Sequence, residues 1–225
     1  VELIDVEGER YIDCLAGAGS IPLGHNHPAI VDAIEGVLDD GAPTHTLDIT
    51  TPEREAFLDV LLPTLPEELR ENARVQFCSP AGTDAVEASL KLMQKATGNR
   101  DVIAFRGAYH GMTAGSMALM GDTDPAEGVE IPGNVHHEPY PYDYRPPLGI
   151  GGDAEHDALA TQFETLLADP ESGVADPAAV IVEPVQGEGG SLPAPEGWLQ
   201  AIRRVTREHN VPLILAEIPT GVCRT

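Results

Sequence analysis

Two apolar runs, Ala178-Ala179-Val180-Ile181-Val182 and Pro212-Leu213-Ile214-Leu215, stand on either side of a helical pattern near the end of the 225-residue chain. That pattern spaces Trp198, Ile202 and Val205 at i, i+4 and i+7, which places them on one face of a helix. Two nearly uninterrupted apolar strands joined by a helix are typical of a βαβ unit, in which parallel strands are covered on both faces. The sequence therefore predicts an α/β fold.

The same alternation of strand, turn and helix begins earlier in the chain. Residues 75–78 are predicted to form a strand, residues 84–96 a helix closed by Gly98, and residues 102–105 the next strand. Residues 121–153, rich in Gly, Pro and Tyr, are interpreted as a long ordered excursion over the surface. Loops of that length are commonly functional.

The N-terminal part has three elements of its own. Residues 4–13 read as a hairpin of two alternating apolar runs around a Glu-Gly turn. A helix is predicted from Pro28, capped by Asn26 or His27 and ended by Gly41. A second helix opens at Thr51-Pro52.

The chain is strongly acidic, with 13 Lys and Arg against 37 Asp and Glu and a formal net charge of −24 at pH 7. Binding to nucleic-acid phosphates requires a basic surface, so we expect no nucleic-acid partner. Salt screens repulsion between exposed carboxylates, which favours a halophilic source. An ordinary acidic mesophilic protein is the alternative.

The sequence contains no signal for a membrane or for export. No stretch approaches the roughly 18 consecutive apolar residues of a spanning helix, and the N-terminus has no basic region followed by an apolar run. Cys14, Cys78 and Cys223 show no paired spacing, which indicates a reducing compartment. We therefore predict a cytoplasmic protein with no membrane partner.

Metal-ligand chemistry has a weak basis. The groups His25-x-His27 and His136-His137-Glu138 each lack a third ligand at a helical or hairpin spacing. No metal site is predicted.

Residues 79–87 place Gly82 and Thr83 at the mouth of a helix, directly after the first predicted strand of this region. Free N–H groups in a first helical turn, together with the helix dipole, bind phosphate well. A plain capping turn is the alternative.

Three further segments follow predicted strands. Residues 105–113 carry Tyr109, an aromatic ring suited to stacking on a flat ligand, next to His110, although a single tyrosine of this kind more often fills a core or lies on the surface. Residues 180–190 place Glu183 at the end of an apolar strand, where an unpaired charge would cost several kcal/mol, so it needs a partner or a role. Residues 213–221 end the last strand. The four segments are expected to meet at one crevice.

Together these segments resemble, in order and spacing, the class III aminotransferases, pyridoxal-phosphate enzymes of fold type I. The resemblance covers practically the whole chain and implies the large domain of that fold, a mixed, mostly parallel sheet with helices on both faces. The domain would be incomplete and preceded by part of a small N-terminal domain. The implied division is residues 1–45 for the N-terminal segment and residues 46–225 for the cofactor-binding large domain.

The resemblance also implies roles for individual residues. Gly82 and Thr83 would hold the phosphate of pyridoxal 5'-phosphate, Tyr109 would stack on its ring with His110 beside it, and Glu183 would lie near the cofactor. Glu188 resembles the glutamate that pairs with an arginine to switch between amino-acid and 2-oxo-acid substrates. That arginine would lie beyond this chain.

Within the family the resemblance is strongest to the diaminobutyrate–2-oxoglutarate subgroup, because of the Pro-Tyr-Pro-Tyr-Asp-Tyr-Arg run at residues 139–145. It implies transfer of an ω-amino group between 2,4-diaminobutyrate and 2-oxoglutarate, by a homodimer when the chain is full length. Two alternatives stay open. One is an ornithine, acetylornithine or 4-aminobutyrate type of transaminase, and the other is a non-catalytic remnant of the fold.

The sequence departs from the family pattern at the last segment. The family has an Asp-Glu-Val-Gln run there, and its Asp pairs with the pyridinium nitrogen of the cofactor. This chain has Ala216-Glu217-Ile218-Pro219 instead. Ala216 can neither accept that hydrogen bond nor balance that charge, and Glu217 should point to the opposite face of the strand.

A second departure concerns the Schiff-base lysine of the family, which would follow the last residue, Thr225. Lys91 and Lys95 cannot replace it, because they lie on the helix after the phosphate turn. We therefore predict no catalytic residue within this chain and expect a chain of this length to be inactive by itself.

Overall fold

Short strands alternate with amphipathic helices along most of the chain. The computed structural model describes residues 2–46, 49–121, 134–222 and 224. In chain order the elements are β1 (Glu2–Ile4), β2 (Arg10–Ile12), α1 (Pro28–Asp39), α2 (Pro52–Leu61), α3 (Glu67–Arg70), α4 (Gly82–Thr97), β3 (Val102–Phe105), α5 (Ala114–Ala118), β4 (Val135–Glu138), α6 (Gly152–Ala168), β5 (Ala179–Val182), β6 (Val185–Gln186), β7 (Leu192–Pro193), α7 (Glu196–Glu208) and β8 (Leu213–Leu215).

The chain divides into two compact units, Val1–Phe77 and Cys78–Thr225. The boundary between residues 45 and 46 that the family resemblance implies stays a prediction. None of the helices in the described ranges has the length and apolar character needed to cross a membrane.

The first unit contains the predicted hairpin and both predicted helices. β1 and β2 pair antiparallel. α1 starts after His27, whose Nδ1 accepts the Ala29 amide at 3.3 Å, and α2 starts after Thr51, whose hydroxyl accepts the Arg54 amide at 3.2 Å. Both helices therefore begin at residues that supply a side-chain acceptor to the first turn.

A four-stranded parallel sheet with the order β4-β3-β5-β8 organises the second unit. α7 joins the parallel neighbours β5 and β8, which confirms the predicted βαβ unit. β3 lies between β4 and β5, both of which run parallel to it. Since all four strands are parallel, the loops after their carboxyl ends begin at the same edge of the sheet.

The two faces of this sheet support separate apolar cores, because successive side chains of a strand point to opposite faces. Ile103 and Phe105 of β3 pack with α6 and α7, and the Phe105 ring meets the edge of Trp198 at 5.2 Å between centroids. Val102 and Ala104 belong to the opposite core. That core contains Val86, Leu90, Val102, Ala104, Leu119, Ile181 and Ala216. Helices therefore cover both faces, as predicted.

Two strand predictions differ from the structure. The prediction of a strand at residues 75–78 is wrong, because the described backbone of these residues is not a strand, and Phe77 is 42% exposed. The fourth strand of the sheet is instead β4, which occupies the edge beside β3. β4 lies inside the stretch of residues 121–153 that was predicted as an ordered excursion over the surface, and α6 begins at the last two residues of that stretch. The prediction is wrong for residues 135–138, which form a strand of the sheet, while residues 122–133 lie outside the described residues.

Candidate active site

The loops at the carboxyl edge of the sheet interlock with the first turn of α4. A Cβ added to Gly82 would lie 2.8 Å from Ile218 Cγ2, so the loop after β8 packs directly on the start of α4. A Cβ added to Gly111 would lie 2.5 Å from Thr83 Cβ, so the loop after β3 packs on the same turn. Neither glycine leaves room for a larger residue.

The loop after β5 completes the arrangement. The Glu183 carboxylate accepts the Tyr109 amide at 2.9 Å and the Gly187 amide at 3.1 Å. A Cβ added to Gly187 would lie 3.7 Å from Pro219 Cγ, in ordinary contact with the loop after β8. The four segments thus meet in one ring, which we call the loop ring (residues 79–83, 106–113, 183–190 and 216–221). The expected convergence is observed, although no strand precedes the first segment.

The first turn of α4 offers free amide groups to the loop ring. Ala81, the N-cap residue, makes no side-chain capping bond, and the Asp84 amide bonds back to the Ala81 carbonyl at 3.1 Å. The amides of Gly82 and Thr83 come before the first intrahelical acceptor becomes available. Asp84 adds a carboxylate to this turn, and the Ser79 hydroxyl donates to it. The backbone of this turn can bind an anion.

The Thr83 hydroxyl belongs to a network of side chains that points into the fold. Glu87 Oε1 accepts the Thr113 hydroxyl at 2.7 Å and the Gly115 amide at 2.8 Å. Because Thr113 gives its proton to Glu87, Thr83 is the donor in its 2.7 Å contact with Thr113, and it also lies 2.8 Å from the Ser116 hydroxyl. The Thr83 proton is therefore committed within the network, and the backbone amide is the group that Thr83 can offer to a phosphate.

Tyr109 and His110 are neighbours in the loop ring that differ in exposure. The Tyr109 side chain is 41% exposed, while its amide is fixed by Glu183, so the ring can be covered by a ligand. His110 is 1% exposed, and neither ring nitrogen finds a hydrogen-bond partner among the described residues. Burial, with a smaller effect from the nearby His137, lowers the pKa of His110 to about 4. The imidazole is therefore neutral at pH 7.

Glu183 is 3% exposed and finds its required partners in two backbone amides. Burial raises the pKa of its carboxyl group above the ordinary value, while those two amide bonds act in the opposite direction. The Tyr140 hydroxyl donates to the Glu183 carbonyl at 3.1 Å, and burial raises the pKa of that hydroxyl, which keeps the proton in place. The carboxylate thus serves to join two loops of the ring.

Gln186 is a supporting residue that the sequence reasoning missed. Its side chain is 1% exposed, and its Nε2 donates to the Arg106 carbonyl at 2.9 Å, which ties the loop after β5 to the loop after β3. The signal was present in the Glu-Pro-Val-Gln run, where a polar amide follows a buried strand. Glu87 was missed for a different reason, since its partners come from residues 113–116 and not from its own helix.

Ala216 lies among apolar side chains. It is 6% exposed, its amide donates to the Val182 carbonyl at 2.8 Å, and it packs in the core with Val86 and Ile181. Glu217, the next residue, is exposed, in agreement with its expected position on the other face. Ala216, the residue directly after β8, therefore presents no carboxylate to the loop ring.

The remaining candidates lie at the surface. Glu188 is exposed on the loop after β5, and Lys91 and Lys95 are exposed on α4, about two or more turns beyond Thr83. In the described ranges no three His, Cys, Asp or Glu side chains come together in a group able to hold a metal ion.

The fold is that of a parallel α/β protein, and the loop ring lies at the carboxyl edge of its sheet, where proteins of this class bind ligands. The family described as Aminotransferase class-III matches residues 1–225, and the chain belongs to this family.

Relatives and solved structures agree with this assignment. The chain is 54% identical over 223 residues to a diaminobutyrate–2-oxoglutarate aminotransferase of Rhizobium meliloti (strain 1021). The aligned region covers 98% of this chain and 47% of the relative. It is 48% identical to the protein of that name from Haemophilus influenzae, over 98% of this chain and 48% of the relative. The chain therefore spans about half the length of the curated relatives it matches.

Two solved structures have the same fold. One is an amine transaminase from an uncultivated Pseudomonas species in its PLP-bound form, with a TM-score of 0.85, 27% identity and coverage of 98% of this chain and 50% of that one. The other is a thermostable (S)-enantioselective omega-transaminase from Thermomicrobium roseum, with a TM-score of 0.81, 28% identity and coverage of 96% of this chain and 48% of that one.

Proposed function

We propose that the full-length protein is a pyridoxal-phosphate-dependent transaminase that moves an ω-amino group between 2,4-diaminobutyrate and 2-oxoglutarate. The observation that carries the choice of substrates is the 54% identity, over 98% of this chain, to an aminotransferase named for those two compounds. The Tyr-rich run at residues 139–145 supports the same subgroup.

The residues of the loop ring fit pyridoxal phosphate at the phosphate and at one ring face. The Gly82 and Thr83 amides stand in the first turn of α4, where no helical carbonyl precedes them and no side chain caps them, so they can bind the phosphate. The half-exposed Tyr109 ring is available to stack on the pyridine ring. His110, buried beside Tyr109 with both nitrogens unpartnered among the described residues, can bond to a group that the rest of the protein brings. Ala216 does not fit the ring nitrogen, because it supplies no acid.

The described residues of this chain would hold and position the cofactor. When bound, pyridoxal phosphate supplies an electron sink at its ring. The dipole of α4 and the two amides would bind its phosphate, and Glu183 holds the backbone of Tyr109 in place through a 2.9 Å hydrogen bond. The neutral His110 adds no positive charge near the cofactor at pH 7.

Further parts of the proposal concern groups outside this chain. Glu188, exposed at the rim of the loop ring, pairs with an arginine of the second half and so distinguishes amino-acid from 2-oxo-acid substrates. The protein is a homodimer in the cytoplasm. Its charge of −24 adapts it to high salt.

The test uses the full-length protein, meaning this chain continued by its own reading frame or by the second half of the Rhizobium meliloti relative. Glutamate is measured after mixing diaminobutyrate, 2-oxoglutarate and pyridoxal phosphate. Faster formation from diaminobutyrate than from ornithine or 4-aminobutyrate supports the proposal, and preference for either of the other amines overturns the substrate assignment.

The buried alanine at position 216 favours a second candidate, a remnant of the fold without catalysis. Pyridoxal phosphate that binds, as followed by its absorbance, without any glutamate formation would support that candidate. Absence of binding as well would contradict the cofactor proposal.

A further inference from the structure

A cavity of about 210 Å³ lies at the carboxyl ends of β3 and β4, next to two loops of the loop ring. Four polar side chains line it, those of Arg106, Tyr142, Arg145 and Gln186. Pro139, Tyr140 and Leu192 form an apolar wall. The cavity is separate from the first turn of α4, none of whose residues lines it.

The cavity concentrates positive charge in a protein that has very little of it. Two of the 13 Lys and Arg residues line it, and its lining contains no carboxylate. In the ranges that the structure describes, neither Arg106 nor Arg145 takes part in an ion pair. The Arg145 guanidinium lies 5.6 Å from the centroid of the Tyr144 ring, which helps to hold its position.

Two acidic residues close in sequence to the lining are engaged elsewhere, while Glu188, next to Gly189, is exposed and is not part of the lining. The Asp143 carboxylate bonds to His156 at 2.8 Å, and the Glu138 carboxylate accepts the Gln162 amide at 2.8 Å. Both arginines are exposed at the cavity, and an anion bound there is attracted by both charges. Arginine also suits oxyanions, because it can donate two parallel hydrogen bonds to a carboxylate or phosphate.

Size and lining narrow the chemistry of the anion. Sites for drug-sized ligands occupy about 300–1,000 Å³, so a cavity of about 210 Å³ takes a smaller molecule. The apolar wall of Pro139, Tyr140 and Leu192 favours a ligand with a carbon skeleton over a fully hydrated ion. We infer that this cavity binds a small organic acid, with its carboxylate between Arg106 and Arg145, at a site distinct from the proposed cofactor site.

The cavity shares two loops with the loop ring. Gln186 lines the cavity and donates to the Arg106 carbonyl at 2.9 Å, while the same two loops are joined on the other side by Glu183 and Tyr109. A bound acid therefore contacts the back of the segments that orient Tyr109. This inference does not rest on the proposed function, since it needs only the cavity and its charges.

Isothermal titration of the full-length protein, saturated with pyridoxal phosphate, tests the inference. The probe is glutarate, a diacid that cannot be transaminated, at constant ionic strength because screening alters anion binding. We expect binding that weakens at least about tenfold in the Arg106→Gln/Arg145→Gln double variant, because charge-assisted hydrogen bonds are lost. Arg203→Gln, which removes one exposed arginine of α7, is the control and should bind as the parent does.

Additional variants and probes show which site and which chemical group account for the binding. Glutarate binding that the double variant loses belongs to this cavity, and binding that the double variant retains, such as binding at a substrate site, does not. The Arg106→Lys/Arg145→Lys variant keeps the charge and should retain binding if the glutamine variant fails to fold. Identical isotherms for the parent and the glutamine variant overturn the inference. Inorganic phosphate that binds as tightly as glutarate, or pentane-1,5-diol that binds at all, overturns the assignment to an organic acid.

Discussion

His110 is the residue whose surroundings depart furthest from those in water. Its pKa lies at about 4 in the folded protein, against 6.5 in the unfolded chain. The unfolded state therefore takes up a proton first as the pH falls, and the folded state loses stability between about pH 6.5 and pH 4. We expect the free energy of unfolding to fall by up to roughly 3 kcal/mol across that window.

The variant that isolates this effect is His110→Phe, which fills a similar volume and does not titrate. Chemical unfolding of the full-length apoprotein is measured at pH 7 and at pH 5.5, about one unit above the ordinary pKa values of Asp and Glu. The loss of stability between these two pH values should be smaller in the variant than in the parent. An equal loss in both would show that His110 is solvated or paired.

A change at Thr83 distinguishes the role of its hydroxyl in stability from the role of its backbone amide in phosphate binding. Thr83→Val removes the hydroxyl that bonds to Thr113 and Ser116, and we expect a loss of about 1–2 kcal/mol of stability. Affinity for pyridoxal phosphate should change by less than about tenfold, because the amide stays. Thermal melting and a cofactor titration of the full-length protein measure the two effects.

The matched control for Thr83→Val is Thr83→Ser, which keeps the hydroxyl and should restore the stability. A hydroxyl that donates directly to the phosphate would make the valine variant bind about 10- to 100-fold more weakly. That result would contradict the proton arrangement deduced from Glu87 and Thr113.

Ala216 is the residue at which the chain is expected to be limited as a catalyst. In the full-length protein, Ala216→Asp with Pro219→Gln should raise the rate of glutamate formation at least about 10²-fold, equivalent to roughly 2.7 kcal/mol of barrier. A carboxylate there can hold a proton on the ring nitrogen of the cofactor. Equal rates before and after the change would show that another group performs this role.

The same change carries a second, independent readout. Without cofactor, the new carboxylate lies among Val86 and Ile181, and burial of an unpaired charge should lower the melting temperature of the apoprotein. Pyridoxal phosphate should then raise the melting temperature more in the variant than in the parent. Ala216→Asn is the control of equal shape, and it should not reproduce the gain in rate.

Residue roles were predictable where a motif combined a turn with a particular side chain. Gly82 and Tyr109 lie in the loop ring, and Glu183 has the partners that a buried charge requires. Gln186 carried a signal, a polar amide after a buried strand, but its partner Arg106 could not be read from the sequence. Glu87 was not predictable, because nothing in its own helix indicates its partners at residues 113–116. The binding roles of Gly82, Thr83, Tyr109, His110, Glu183 and Glu188 stay predictions.

Strands were predictable where they are buried on both faces. β3 and β5 are fully buried and read as apolar runs, and both were located within a residue of their observed bounds. β4 has the sequence Val-His-His-Glu and is half buried at the edge of the sheet, where polar residues are tolerated, so no apolar pattern marks it. Residues 75–78 show the converse, a largely apolar run whose described backbone is not a strand.

The end of α4 provides a prediction about an element. Gly98 closes this helix in the left-handed conformation, with φ of +79° and open space around the position of a Cβ. Gly98→Ala should therefore destabilise the protein by about 1 kcal/mol through backbone strain alone. Gly197→Ala is the matched change, since Gly197 lies within α7, has equally open surroundings and should be neutral or stabilising. Denaturant unfolding of both full-length variants checks the difference in sign.

The charge of the whole molecule is poorly compensated. The chain carries 37 acidic residues, and in the described ranges arginine–carboxylate ion pairs form only at Arg10 and Arg204. These pairs are exposed, so each adds little stability. The helices meanwhile bury enough apolar surface for two cores. The stability of the fold thus comes from the apolar packing of the sheet and its helices, and repulsion within the net charge of −24 lowers that stability.

This opposition predicts how salt affects the full-length protein. The Debye length falls from about 10 Å at 0.1 M salt to about 3 Å at 1 M, so repulsion among exposed carboxylates is progressively screened. The melting temperature should rise steeply as KCl increases from about 0.1 M to 1 M and more gently above that, because little unscreened repulsion then remains. Sucrose stabilises proteins by exclusion from their surface without screening charge, and it should not reproduce the steep part of the curve. A melting temperature that stays flat or falls with KCl would show that the acidic surface is not an adaptation to salt.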